Sequence, residues 1–359
     1  MTKEKNIYIC APNIRHGGGL SLLEMIIKAA QSLDFSIGGN LNSSLKKNED
    51  IVDRDSMSLE FTDSGLSNYL FPLLHAKKNI DLENQIILFF GNLPPISKMK
   101  GKSFLYIHSK LLLEPVFRYK LNIKTRIRLI FEKLFIFLFY KNVDLIVVQT
   151  PSMMQLSRDI FKKRETICLP FFDYDKGVYN HNGIKQLDFF YPSYGYTYKN
   201  HKNLLQAFTL LSERNIFPSI ALALDTKIDT ELINFITEES EKYNLKIELV
   251  LDKNFEQMKD YYNSCKALVW PSFTESLGMP LIEASVYEKD ILASDLEYVH
   301  DILEIKKEDC FNPNDPLSIA DCMENYISRY TQGDKNNKIK LRIYSTKDFL
   351  NKLSMHTLK

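Results

Sequence analysis

Short apolar runs recur along the whole chain and are separated by segments long enough for a helix. They are IYICA (7–11), QIILFFG (85–91), SFLYIH (103–108), VDLIVVQT (143–150) and TICLP (166–170), then LDFFYPS (187–193), SIALALD (219–225), KIELVL (246–251), KALVWPS (266–272) and DILASD (290–295). A run with almost no polar alternation is buried on both faces. In series with amphipathic helical patterns, such runs predict a parallel sheet covered by helices on both sides. The series is too long for one sheet: 359 residues suit two domains of ordinary size. The polar segment 174–185 reads as a linker, which puts the boundary near Pro170. We therefore expect two doubly wound α/β domains, 1–170 and 171–345, followed by a helical tail over 346–359. The polar composition of 41–60 reads as a surface excursion between core strands.

Composition excludes several classes. An apolar content of 45% is enough for two cores and excludes wholesale disorder. Lys plus Arg number 46 against 45 acidic residues, so there is no global field for nucleic acid. The N-terminal MTKEKN runs straight into the first strand, without the apolar core and cleavage site of a signal peptide. The longest strongly apolar run, 134–140, is bounded by Lys133 and Lys141 and falls far below the roughly 20 residues that span a bilayer. Cys10, Cys168, Cys265, Cys310 and Cys322 are scattered and lack metal spacing, as expected of reduced, mostly buried thiols in a cytoplasmic protein.

The chemistry concentrates in WPSFTESLGMPLIEA (270–284), where a strand end, a polar loop and a helix start follow in order. Pro280 suits the first helical position. Free N–H groups and the positive end of the dipole at such a start attract phosphate. Glu283, expected in the first turn, can accept two hydrogen bonds from the vicinal hydroxyls of a ribose, or can simply complement the dipole for roughly 0.3–1 kcal/mol. Glu275, in the loop, is either nearer the reacting group or solvated. Three further places carry candidates. His16, Gly17, Gly18 and Gly19 precede an amphipathic helix, as either a ligand approach or a tight turn. His108 closes a strand at the edge where open α/β sheets place ligands, though a lone histidine there is often structural. Lys199 falls just before a helix beginning near 200–203, where an ammonium can stabilise charge developing on a departing phosphate or merely be solvated. The segment 110–141 holds eight basic residues against Glu114 and Glu132, alternating with bulky apolar side chains. It is either a helix on an anionic membrane or an ordinary amphipathic helix with a basic outer face.

The stretch 270–284, with KNH at 199–201, resembles the signature of glycosyltransferase family 4 (glycosyl transferases group 1). The likeness is densest over 191–315 and thinner before it. It implies GT-B architecture, with two Rossmann-like domains facing across a cleft, the first for the acceptor and the second for a nucleotide-sugar. The tail 346–359 would pack back on the first domain. The same resemblance implies that Glu275 meets the sugar hydroxyls or transition-state charge, Lys199 the phosphates and His108 the donor sugar. Glu283 would anchor the ribose, with Gly278, Met279, Ser276, Gly18 and Gly19 lining the donor.

No cofactor is implied beyond a UDP- or GDP-linked donor. No DxD-type pair stands where a diphosphate-bound metal would need it, so metal-independent transfer is expected, and the resemblance implies retention of anomeric configuration. The implied acceptor is a glycan or lipid-linked oligosaccharide of bacterial surface polysaccharide (O-antigen, capsule or lipopolysaccharide), met in the cytoplasm or peripherally at the inner membrane face. No nucleic-acid partner is expected. The sequence departs from the pattern at Ser193, where many relatives carry a phosphate-binding arginine, at Ser276, and at Glu288 and Asp290, where Gly and Pro are common. A non-catalytic sugar-nucleotide scaffold and a sugar-nucleotide epimerase of the same fold remain as alternatives.

Overall fold

The computed structural model describes residues 6–48, 57–63, 85–173, 186–333 and 339–357. The segment 174–185 lies outside them. The chain divides into two compact units, the first made of 1–118, 122–173 and 343–359 and the second of 119–121 and 174–342.

In the first unit seven parallel strands, β1 (Asn6–Ala11), β2 (Ser36–Asn42), β3 (Met57–Thr62), β4 (Gln85–Phe89), β5 (Lys102–Ile107), β6 (Leu145–Val148) and β7 (Glu165–Cys168), take the order β3-β2-β1-β4-β5-β6-β7. Their helices include α1 (Gly17–Ser32), α2 (Ile123–Phe139) and α3 (Pro151–Ile160). Helix α3 starts as its sequence dictates, with the Thr150 hydroxyl accepting the Met153 N–H and Pro151 in the first turn.

Two of these strands fall where the sequence reads otherwise. The polar excursion over 41–60 contains the end of β2 and the first residues of β3. Strand β2 offers no uninterrupted apolar run because it contains Gly38 and Gly39, and a Cβ at Gly39 would come within 2.5 Å of the Ile9 carbonyl oxygen on β1. Those glycines permit close pairing. Strand β3 is at the sheet edge and alternates half-buried with exposed residues, so its mixed polarity is that of a one-sided strand.

The second unit has six parallel strands, β8 (Leu187–Pro192), β9 (Ser219–Leu224), β10 (Lys246–Leu251), β11 (Cys265–Trp270), β12 (Asp290–Ser294) and β13 (Cys310–Phe311), in the order β10-β9-β8-β11-β12-β13. Its helices include α4 (His201–Glu213), α5 (Thr230–Tyr243), α6 (Phe255–Ser264), α7 (Met279–Val286), α8 (Glu297–Ile302) and α9 (Pro316–Thr331). Both sheets are doubly wound. The order reverses between β1 and β4 in one and between β8 and β11 in the other, and such a reversal opens a crevice at the carboxyl ends of the two strands. The five cysteines are unpaired, with Cys10, Cys265 and Cys322 buried.

From Ile343 onward the chain belongs to the first unit again. Tyr344 bridges to Phe171, and α10 (Thr346–Thr357) buries Phe349, Leu350 and Leu353 completely. The Phe349 ring lies 4.3 Å from that of Phe171 and 5.8 Å from that of Tyr106, centroid to centroid. A cavity of phenyl size in such a contact is expensive, so Phe349→Ala is expected to destabilise the first unit by about 3–5 kcal/mol, read as a lowered denaturant midpoint.

Candidate active site

In the second unit, the loops that leave β8 and β11 border the crevice. The β8 loop runs through Lys199 to Asn200, whose φ of 66° lies in the left-handed region that asparagine tolerates. From there the buried Asn200 side chain donates to the carbonyl oxygens of Pro271 (3.0 Å) and Pro313 (2.7 Å). The Phe273 N–H donates to the Tyr198 carbonyl at 2.8 Å, completing the tie between the two loops. On the far side, the hydroxyls of Tyr298 and Ser294 both donate to the Ser272 carbonyl. The start of the loop carrying Glu275 is therefore fixed through its Pro271 and Ser272 carbonyls and its Phe273 N–H.

This frame brings Lys199 and Glu275 together. Their charged atoms are 2.6 Å apart, with the side chains 15% and 12% exposed. The Lys199 ammonium also stands 4.9 Å from the centre of the Trp270 ring, an attraction between a cation and an aromatic face. Lys202, its neighbour in sequence, goes elsewhere and lies over Phe235. Ser193, in the place of the expected arginine, is buried, and its hydroxyl donates to the Tyr194 carbonyl at 3.3 Å. The same loop is held by Asp229, whose carboxylate accepts the Gly195 N–H at 2.9 Å.

Glycine 278 ends the β11 loop at φ 64° and caps α7, so a side chain here would strain the backbone, and its Cβ would also press on Leu281 at 3.0 Å. Met279 is the first helical residue and Pro280 the second, one place later than the sequence implied. The Leu281 N–H is taken by the Gly278 carbonyl. Glu283 accordingly lies beyond the first turn, contrary to expectation, and is buried, accepting a hydrogen bond from the Tyr262 hydroxyl at 2.5 Å. Burial pushes its carboxyl up to about 7, and the Tyr262 bond acts against that rise. Ser276 lies in the loop between Glu275 and Gly278 and is half-buried.

The other expected residues meet in the first unit. The three glycines open α1 instead of preceding it, with Gly17 at φ 69°. A Cβ at Gly19 would approach His108 Nε2 to 3.3 Å, so this glycine lets the helix start lie against the imidazole, while Gly18 lies beside it in the same first turn. Asn92, left-handed at φ 65°, grips His108 twice. Its Oδ1 accepts the His108 backbone N–H at 2.8 Å and its Nδ2 lies 3.1 Å from Nε2. An amide nitrogen can only donate, which makes Nε2 the acceptor. Burial depresses the imidazole to about 4, so it is neutral at physiological pH.

Sequence reasoning missed Asn92, Asn200, Tyr262 and Asp229. Gly-Asn at 91–92 is a turn signal of the kind that marks a left-handed residue. Tyr262 and Asp229 carry no signal of these roles, because their partners Glu283 and Gly195 lie 21 and 34 positions away in sequence. Among the described residues, Asp295, His300 and Cys310 place possible metal-ligating atoms within 4.8 Å of one another, but the group includes none of the expected site residues. His300 and Asp295 already form an exposed 2.7 Å pair.

Residues 179–343 match the family model described as glycosyl transferases group 1. No curated protein matches the chain. Among solved structures, sucrose-phosphate synthase from Thermosynechococcus elongatus is similar over 92% of each chain at 14% identity and a TM-score of 0.65. Anabaena HepE in complex with UDP and glucose is similar over 92% of each chain at 11% identity and a TM-score of 0.62. WaaG, a glycosyltransferase involved in lipopolysaccharide biosynthesis, is similar over 98% of this chain and 94% of its own, at 13% identity and a TM-score of 0.63. The fold is GT-B. These GT-B proteins have different names and roles, so the likeness speaks for architecture, and activity must be argued from the site.

Glu283 gives the site of this GT-B chain a pH signature. The folded chain keeps the carboxyl protonated up to about 7, whereas the unfolded chain releases the proton in the ordinary range near 4.5. Stability present below that range should therefore fall as pH rises towards 7, by roughly 3 kcal/mol in all, and level off above it. Glu283→Gln should flatten this fall and Tyr262→Phe deepen it, read from urea midpoints at a series of pH values.

Proposed function

We propose that this chain is a retaining glycosyltransferase of family 4, transferring a sugar from a nucleoside-diphosphate-sugar to a glycan or lipid-linked acceptor. The observation that carries the reading is the Lys199–Glu275 pair, set beside the Gly278-capped start of α7 at the carboxyl ends of β8 and β11. An ammonium, a helix start and a carboxylate at one strand edge match the charges of a departing nucleoside diphosphate and a sugar cation. The match of 179–343 to group 1 transferases supports the assignment.

In this mechanism the diphosphate lies against the start of α7, with Gly278 and Met279 facing it and Ser276 beside it. Glu283 takes the ribose hydroxyls as a carboxylate, so donor binding and loss of its proton favour each other. Lys199 is drawn towards the β-phosphate and shared with Glu275. As the bond from the anomeric carbon to the phosphate oxygen breaks, negative charge grows on that oxygen and is stabilised by Lys199 and the helix amides. Glu275 then faces the positive charge on the sugar. The acceptor hydroxyl forms its bond on the same face and passes its proton to the leaving diphosphate, which gives retention. Lys199 and the helix dipole would let transfer proceed without a metal.

In the first unit, neutral His108, with Gly18 and Gly19 beside it, suits hydrogen bonding to a sugar more than proton transfer, since an imidazole this hard to protonate is a poor general acid. The UDP bound by HepE supports a uridine donor, and the part of WaaG in lipopolysaccharide biosynthesis supports an acceptor in bacterial surface polysaccharide. The inward-turned Ser193, which supplies no phosphate cation, favours a second reading as a non-catalytic sugar-nucleotide scaffold.

Incubation with a panel of nucleotide-sugars separates these readings. Hydrolysis or transfer supports the enzyme, binding without turnover the scaffold, and donor isomerisation an epimerase. For the enzyme, Lys199→Ala and Glu275→Ala should each lower kcat by about 10²–10³. The double variant should lose little more than either alone, because the two groups act as one unit. Glu283→Ala should chiefly raise the donor Kd. Unchanged kcat in both single variants would remove the pair from the site.

A further inference from the structure

Helix α2 presents an unusual surface for a helix in a doubly wound unit. Ile123, Ile127, Ile130, Phe131, Leu134, Phe137 and Leu138 are all exposed, from 46% at Ile130 to 75% at Ile123. At 3.6 residues per turn they fall in one stripe spanning roughly a third of the helix circumference. The opposite side holds the buried Leu129 and Ile136. The packed face is thus already apolar, and the outward stripe is a second apolar face. Lys124 and Arg128 border it on one edge and Arg126 on the other, where Lys133 turns its ammonium back to the Glu114 carbonyl. Phe117, 76% exposed, extends the apolar surface under Arg126, whose guanidinium lies 5.7 Å from its ring centre.

The acidic groups are turned away from this stripe. Glu132 lies on the opposite side of α2, half-buried and 3.8 Å from Arg128. Glu114 is buried and paired with Arg118 at 3.3 Å, and its carbonyl accepts from Lys133.

We propose that α2 docks the first unit on an anionic lipid bilayer, lying in the plane of the interface with this stripe among the acyl chains and its basic edges among the headgroups. This deepens the transferase reading by naming where a lipid-borne acceptor is met, and rests on that reading for the acceptor alone. An apolar arc bounded by cations on both edges is the complement of a surface that is apolar below and anionic above. A second copy of the chain fits less well, because pairing two such stripes brings basic edges against basic edges. A bilayer-crossing role does not arise: among the described residues, no helix is long and apolar enough to span a membrane.

The test is co-sedimentation of the full chain with vesicles of phosphatidylcholine alone and of phosphatidylcholine with phosphatidylglycerol in equal parts. Binding to the anionic vesicles is expected, weakening as salt is raised and falling to a trace on the neutral ones. The triple variant Ile127→Ser, Phe131→Ser, Leu134→Ser should bind at least about tenfold more weakly, with its unfolding midpoint unchanged because these side chains are exposed. The pair Lys124→Glu, Arg128→Glu should abolish the preference for anionic lipid. Equal pelleting with both vesicle types, undiminished binding of the triple variant, or a vesicle-independent dimer that the triple variant dissolves would each overturn the proposal. Donor hydrolysis measured without vesicles keeps the two ideas apart. Hydrolysis with no vesicle binding defeats only the docking surface, and vesicle binding with neither hydrolysis nor transfer defeats only the enzyme.

Discussion

One side-chain amide holds the second unit's crevice in shape. Asn200 donates to the carbonyl oxygens of Pro271 and Pro313, and so ties the loop after β8 to the loop after β11 and to the chain after β13. Each bond is worth about 1 kcal/mol in stability, but their effect on position is larger. They fix the backbone immediately after Lys199 to the backbone that carries Glu275, which is how side chains separated by 76 positions meet at 2.6 Å. Asparagine suits the place because it accepts the left-handed backbone and offers two donors.

The first unit solves the same problem with the same residue type. Its sheet also reverses order, and the strand end nearest the reversal also carries a left-handed asparagine, Asn92, whose side chain fixes the residue of interest on the neighbouring strand end. In both units the open carboxyl edge leaves loops without sheet partners. A polar side chain in a left-handed turn supplies the missing bonds without adding bulk to the crevice. Glu283 shows the cost of building such an edge from buried parts. Its carboxyl is buried and accepts a hydrogen bond from one phenol, so its charge is favoured only when further donors reach it.

The legibility of the sequence follows from these physical origins. Strands buried on both faces, such as β4, β5, β8 and β11, announce themselves as uninterrupted apolar runs, and the doubly wound class follows from their alternation with helices. Strands β2 and β3 were hidden because glycines needed for close pairing, and the polarity of an edge, both look like loop. The Lys199 and Glu275 positions could be marked as candidates, since a motif carries them. Their pairing could not, because it depends on Asn200 and on register across the sheet. Ser193 is the opposite case: its departure from the family pattern was visible at once, while the turn of its hydroxyl into its own loop was not.

Helix α2 marks the limit of periodicity as evidence. Its sequence has apolar residues at helical spacing and basic residues between them, which fits a helix packed by its apolar side with cations outward. The pattern contains two apolar arcs, and only burial tells which one the sheet consumes. Leu129 and Ile136 serve the core, and the longer arc from Ile123 to Leu138 is left on the outside with its cationic margins. Burying seven large side chains would ordinarily stabilise a domain by many kcal/mol, yet here they face outward. A surface of that size bounded by charge is what the proposed docking on an anionic bilayer would cover.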